Sequence, residues 1–176
     1  MKKWAFLLII LGVGVSVRAQ ITSSVGINVT LPTVSLLDIE PATGINLSLQ
    51  APAEAGNPLT TTMSSTKYLN FTSAVMLGGN RAIFARISSG SVPSGLGLRL
   101  YVGAGSGTGA IGGRTTSSLL VDGIDRMIVS GIGGAFTGSG MGVGYPVSYG
   151  LEIQNYSQLK YTFANSLTIT YTILDY

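Results

Sequence analysis

Leu167-Thr168-Ile169-Thr170-Tyr171-Thr172-Ile173 alternates large apolar residues with threonine without a break. Successive side chains of an extended chain point to opposite faces, so Leu167, Ile169, Tyr171 and Ile173 share one face and the threonines the other. β-Branched and aromatic residues suit such a pleated surface, and the stretch reads as a half-buried β-strand.

The same period recurs upstream. Val25, Ile27, Val29 and Leu31 alternate with Gly26, Asn28 and Thr30 until Pro32. A run from Val34 to Ile39 stops before Glu40-Pro41, and Ile45, Leu47 and Leu49 alternate with Asn46 and Ser48. The polar, proline-containing stretch from Ala51 to Thr66 is long enough to cross between sheets. Further strands are expected at Lys67 to Leu77, Arg81 to Ile87 and Leu96 to Val102, separated by Gly78-Gly79-Asn80 and by Ser88 to Gly95, which carry turn residues. Leu119 to Val121 and Met127 to Val129 flank Asp122-Gly123-Ile124-Asp125, read as a hairpin loop. Val143 to Ile153 forms another alternating run, in which Pro146 implies a strand near an edge or one that begins late. Leu159, Tyr161 and Phe163 precede the last strand.

No stretch of comparable length beyond residue 19 shows a helical stripe with caps. About ten short strands, each half apolar, predict an all-β chain whose two sheets pack face to face, a β-sandwich of Ig-like or jelly-roll-like form. No fixed repeat points to a solenoid or propeller. Two glycine-rich segments, 103–113 and 131–144, read as tightly turned loops or strands that tolerate close backbone approach. Neither leads from a strand into a helix, so neither reads as a phosphate cradle.

Residues 1–19 have the layout of a cleaved secretory signal. Lys2 and Lys3 precede an apolar run from Trp4 to Val17, and Val17-Arg18-Ala19 offers a cleavage site before Gln20. The run is too short for a membrane span of about 20 residues. Export to the cell surface or medium, through a periplasm in transit, is therefore expected. Residues 20–33 form an N-terminal strand or extension and residues 34–176 the folded domain. Without the leader, Lys67, Arg81, Arg86, Arg99, Arg114, Arg126 and Lys160 balance Asp38, Glu40, Glu54, Asp122, Asp125, Glu152 and Asp175. A neutral chain with scattered charges has no general attraction for nucleic acid or anionic lipid.

The chain has no histidine and no cysteine. The commonest general base is missing, along with zinc and thiol chemistry and any disulfide framework. Serine nucleophiles need a positioned base, and Lys67 and Lys160 are the only lysines after the leader. Two acidic pairs are the remaining candidates for carboxylate or calcium chemistry, Asp122 with Asp125 and Asp38 with Glu40. The first reads better as turn-forming and the second as a solvated strand edge. No enzyme activity, cofactor or metal is expected. Asn28, Asn46, Asn70 and Asn155 head Asn-x-Ser/Thr triplets of the kind glycosylated in secreted proteins. Tyr145, Tyr149 and Tyr171 sit at packing positions, whereas Tyr101 alternates outward with Arg99.

Three kinds of exported β-protein fit these features: a structural subunit that polymerises, a binding module, and an outer-membrane barrel. Membrane barrels end on an aromatic residue with apolar residues at every second position before it. Counting back from Tyr176 gives Leu174 and then Thr172, Thr170 and Thr168, the wrong parity, and no even series of strands of about 9–11 residues is present. A Ser/Thr segment leading into Val25–Leu31 directly after the cleavage site resembles the N-terminal extension of fimbrial, pilin-like subunits, and the final Thr-rich strand resembles their terminal strand. The resemblance is one of layout and lacks the pilin disulfide and a terminal signature for a periplasmic chaperone. It implies a fibre, pilus or coat subunit that assembles with copies of itself by strand pairing or donation. Val25, Gly26, Ile27, Val29 and Leu31 would then be the interacting residues. The same stretch also reads as the first strand of a self-contained sandwich. The alternative function is an adhesin-like module for a glycan or protein ligand, using exposed residues such as Tyr101 and Arg99.

Overall fold

The computed structural model describes residues 22–160 and 165–176. The leader assigned to residues 1–19, and Tyr161 and Phe163 of the run before the last strand, lie outside the described residues. The chain divides into two units, Met1–Leu31 and Pro32–Tyr176. In the first, residues 22–31 are exposed and belong to no strand. The strand expected at Val25–Leu31 is therefore not formed there, although its alternation is intact.

The second unit is nearly all β, with no α-helix among the described residues and one 3-10 turn at Tyr156–Gln158. Its larger antiparallel sheet contains β1 (Val34–Glu40), β4 (Lys67–Ala74), β6 (Leu96–Val102), β7 (Thr108–Gly109), β9 (Leu119–Val121), β11 (Ala135–Phe136) and β12 (Tyr145–Ile153). β1 lies along β4, while β12 joins β4 to β6, and β9 borders β6. A second sheet has the order β13-β5-β10-β8, formed by β13 (Thr168–Asp175), β5 (Arg81–Ser89), β10 (Arg126–Ile132) and β8 (Gly113–Arg114). β2 (Leu49–Gln50) and β3 (Thr60–Thr61) make a separate pair.

One apolar core joins the two main sheets. Leu69, Phe71, Leu98, Leu100 and Val147 of the larger sheet meet Ile83, Ala85, Ile128, Val129 and Ile132 of the smaller. Each fully buried Leu, Ile, Val or Phe side chain stabilises the fold by about 1.5–3 kcal/mol. The final strand joins with the expected parity: Ile169, Tyr171 and Ile173 pair with Ile87, Ala85 and Ile83 and pack against the core. On the other face, the Thr170 hydroxyl meets that of Ser88 at 2.7 Å.

Two expectations change, and one is decided between its alternatives. Asp122–Asp125 does not close a hairpin, because β9 belongs to the larger sheet and β10 to the smaller. The turn carries the chain from one sheet to the other, and the Asp122 carboxylate accepts the Ile124 amide at 3.0 Å. Of the run Ile45–Leu49, only Leu49 enters a ladder. Of the two readings of Pro146, the late start holds: β12 begins at Tyr145, and it lies between β4 and β6 rather than at an edge. The two glycine-rich segments contribute the short strands β7, β8 and β11 and touch each other, with the Gly133 amide donating to Ala110 O at 2.8 Å. Glycine is needed at Gly109, where φ is +86° and a Cβ would lie 2.3 Å from Gly134 O.

Arg81 fastens one end of the unit. It is 6% exposed, donates to Asp175 Oδ1 at 2.8 Å and Ser73 Oγ at 3.3 Å, and donates to the carbonyl of Val34. It thus ties the starts of β1 and β5 to the end of β13. Replacing Arg81 with Met leaves the Val34 carbonyl without this donor and should lower the unfolding free energy by about 1–3 kcal/mol. Urea unfolding should show a lower midpoint at unchanged slope; an unchanged midpoint would show that this fork adds no stability.

Candidate assembly cleft

Opposite the Arg81 end, an apolar cleft of ≈ 1040 Å³ opens between elements of the two sheets. One wall comes from the chain after β1, through Ile45, Leu47 and Leu49, and another from Leu167, Ile169 and Tyr171. Leu96 and Leu98 of β6 and Leu151 of β12 add further apolar lining. The sequence pattern accounts for this: Ile45, Leu47 and Leu49 are half-buried while Asn46, Ser48 and Gln50 are exposed, so the stretch lies inward-facing but outside a ladder for most of its length.

One strand edge and one stretch outside any ladder border the cleft among the described residues. β13 pairs with β5 on one side only, so its other edge has no strand. Residues 44–48 belong to no strand, although Ser48 O accepts the Thr62 hydroxyl at 3.5 Å. An unpaired strand edge is a template for another extended segment.

Polar groups in the cleft are mostly engaged. Lys67, 2% exposed, donates its ammonium to Pro41 O at 2.7 Å, Thr43 O at 2.5 Å and Thr43 Oγ1 at 2.9 Å. An ammonium has three donors, and these acceptors use them all. The phenols of Tyr149 on β12 and Tyr171 on β13 meet across the cleft and link the two sheets. Burial raises the pKa of the Tyr149 phenol above its ordinary value and that of Tyr171 well above it. Tyr145, deeper in the core, donates to Gly112 O at 2.8 Å.

The remaining candidate residues lie elsewhere. Asp122 and Asp125 do not share a site: Arg126 pairs with Asp122 at 2.5 Å, and Arg86 approaches Asp125 at 3.7 Å. The Arg126 hydrogen bond, helped by the Ile124 amide, holds the Asp122 carboxyl below its usual range. Asp38 accepts the amide of Ile39 at 2.8 Å. Among the described residues no group of three His, Cys, Asp or Glu side chains could hold a metal ion. Arg99 forks onto Glu152 at 2.9 and 3.2 Å, which raises its pKa, and beside it Tyr101 is 40% exposed. Of the Asn-x-Ser/Thr asparagines, Asn70 is buried and donates to Gly140 O, and Asn155 caps the 3-10 turn. Val25, Ile27, Val29 and Leu31 are 79–86% exposed, and Gly26 has open space around it. No helix among the described residues is long and apolar enough to cross a membrane.

Sequence reading missed the cleft because its walls come from segments far apart in the chain. It also missed the structural use of Lys67, whose one visible signal is a lone cation at the head of an apolar strand. The tyrosine pair makes a testable link to pH. An unfolded tyrosine ionises near pH 10, whereas the folded chain keeps Tyr149 and Tyr171 protonated to higher pH. That contribution is complete below the unfolded value and is lost as pH rises through the folded values. Chemical unfolding across alkaline pH should show stability falling above about pH 10, with a shallower fall for Tyr171→Phe. Equal slopes for the two proteins would exclude this phenol as a source of the decline.

No protein-family model matches this chain, and comparison with curated proteins and with solved structures found no similar one.

Proposed function

We propose that this chain is a structural subunit of an extracellular fibre, pilus or surface coat. In this reading residues 1–19 direct export and are removed, and the two main sheets form a β-sandwich. Copies join by β-strand pairing or donation through Val25, Gly26, Ile27, Val29 and Leu31. The protein performs no catalysis and requires no cofactor.

One observation carries the reading. The same chain holds a segment with four alternating apolar residues exposed to water and an apolar cleft bordered by unpaired backbone. An edge strand and an extended apolar segment complement each other in two ways: ladder hydrogen bonds supply affinity, and alternate side chains seated in pockets supply specificity. A row of exposed valine, isoleucine and leucine is a standing aggregation hazard for a monomer, and assembly would give it a defined destination. The absence of excess charge after the leader removes one source of repulsion between copies.

The test is imaging of cell-surface and purified material by negative stain, alongside size-exclusion chromatography. Protein lacking residues 1–19 should form filaments or a size ladder, and further deletion of residues 20–31 should abolish both while circular dichroism still reports β-structure. An intact chain that stays strictly monomeric and instead binds a glycan or protein saturably through Arg99 or Tyr101 would overturn the fibre reading in favour of the binding module.

A further inference from the structure

Large apolar side chains crowd the point where the chain leaves the second unit. β1 starts at Val34, which stands opposite Ala74 at the end of β4. Two residues beyond Ala74, Met76 is 76% exposed and Leu77 fully so, in a turn where the Gly79 amide donates to Met76 O at 2.9 Å. Arg81, which follows this turn, donates to the carbonyl of Val34 and to Asp175. Asp175 lies between Leu174 and Tyr176, and the Tyr176 amide donates to Asn80 O at 2.8 Å. Leu36, two residues into β1, alternates outwards from Leu37 and Ile39, which pack against the core. Leu36, Met76, Leu77, Leu174 and Tyr176 are all exposed, and none belongs to the core cluster. They form an apolar collar around Val34 that the domain does not use to hold itself together.

Turn geometry does not explain the collar. Gly78, with φ of +78°, supplies the left-handed residue of the 75–80 turn, and Met76 and Leu77 add nothing to its shape. A cluster of exposed apolar residues marks a surface that another body covers. Among residues 34–36, 72–82 and 174–176 the charged side chains are Arg81 and Asp175, and they pair with each other at 2.8 Å. A patch of leucine, methionine and tyrosine without free charge has the composition of the buried centre of a protein–protein contact. A lipid surface fits less well, because Asp38 and Glu40 share the face of β1 that carries Leu36 and would oppose anionic headgroups.

The occupant follows from the length of the connector. Pro32 and Thr33 alone separate Leu31 from Val34. Three residue steps span at most about 10 Å, and proline removes the freedom of one φ angle. A copy that holds Val25–Leu31 is therefore kept within about 10 Å of Val34, against the collar. A tether this short gives the second contact an effective concentration of about millimolar order, so that even a weak apolar contact is occupied.

We propose that Leu36, Met76, Leu77, Leu174 and Tyr176 form a body-to-body contact with the second copy that holds Val25–Leu31. This rests on the fibre-subunit reading and adds to it a contact between domain bodies, independent of which edge receives the segment.

The test uses the full chain without its leader. Met76→Ser/Leu77→Ser removes the two most exposed side chains of the collar from positions outside the core, so the urea midpoint should not move. The concentration at which half of the chains sediment as assemblies should rise about tenfold, the effect of losing one or two covered apolar side chains. Ile124→Ser is the control: Ile124 is similarly exposed, but its turn bonds the far end of β5, where the Ile87 amide donates to Asp122 O. That variant should assemble as the unaltered chain does. A photoreactive benzoylphenylalanine in place of Leu77, in mixtures of tagged and untagged chains, should give a product between copies, and the same group in place of Ile124 should give none. Deleting residues 20–31 should abolish the product from position 77.

Filaments that form at an unchanged concentration in the double variant, with no product between copies from position 77, would overturn the collar contact and leave the fibre reading intact. A product confined to single chains would overturn the second-copy assignment in favour of the chain's own N-terminal segment. A product that survives deletion of residues 20–31 at full yield would overturn the dependence on the short connector. Co-sedimentation of the unaltered chain with phosphatidylcholine vesicles, lost in the double variant, would overturn the protein contact in favour of a lipid surface. A strictly monomeric chain with no product would overturn both the contact and the fibre reading.

Discussion

The structure depends on the strict alternation of side chains along an extended backbone. A strand that buries every second residue needs an apolar surface to face, and here the larger and smaller sheets supply it to each other. Leu69, Leu100 and Val147 meet Ile83, Ile128 and Ile132 in one shared core, and a shift of one residue in any of these strands would exchange its buried and exposed sets. The same rule places Ile169, Tyr171 and Ile173 towards the core and leaves the threonines of β13 on the other face. Alternation settles which face is buried. It does not close the backbone edges, and the cleft lies where one edge lacks a partner among the described residues.

Polar contacts bound that cleft without filling it. Arg81 collects groups from β1, β4, β5 and β13 at one end, and Lys67 gathers the carbonyls that follow β1 at the other. Burying a cation is expensive unless its donors are satisfied, and both cations meet that condition differently, Arg81 with a carboxylate as well as neutral oxygens and Lys67 with neutral oxygens only. The phenols of Tyr149 and Tyr171 do similar work without charge, joining the sheets across the cleft.

Much of the fold could be read from the residues. β13, β6 and most of β1, β4, β5 and β12 follow from period-two runs bounded by glycine, proline and asparagine. The misreadings share a physical cause: local pattern reports which face of a strand is apolar, not which sheet the strand joins. Leu119–Val121 and Met127–Val129 therefore resembled a hairpin although the turn between them changes sheets. Two-residue strands such as Thr108–Gly109 and Ala135–Phe136 are too short to show any period. Val25–Leu31 shows the converse case, a flawless strand pattern with no strand formed, since a ladder needs a partner as well as a propensity. The cleft was illegible because it is assembled from residues more than a hundred positions apart, and no short window contains it.

The pairing of β1 with β4 has a mechanical side. Seven consecutive residue pairs, Val34↔Ala74 to Glu40↔Tyr68, stand in unbroken register. Val34 is also the point where the chain leaves the domain towards residues 22–31. A pull applied at Val34 along the axis of β1 loads the whole ladder in shear, and its bonds resist together. A pull across the ladder would instead open them one at a time, like a zip. The unbroken β1–β4 ladder is therefore stiffest against force along its strands.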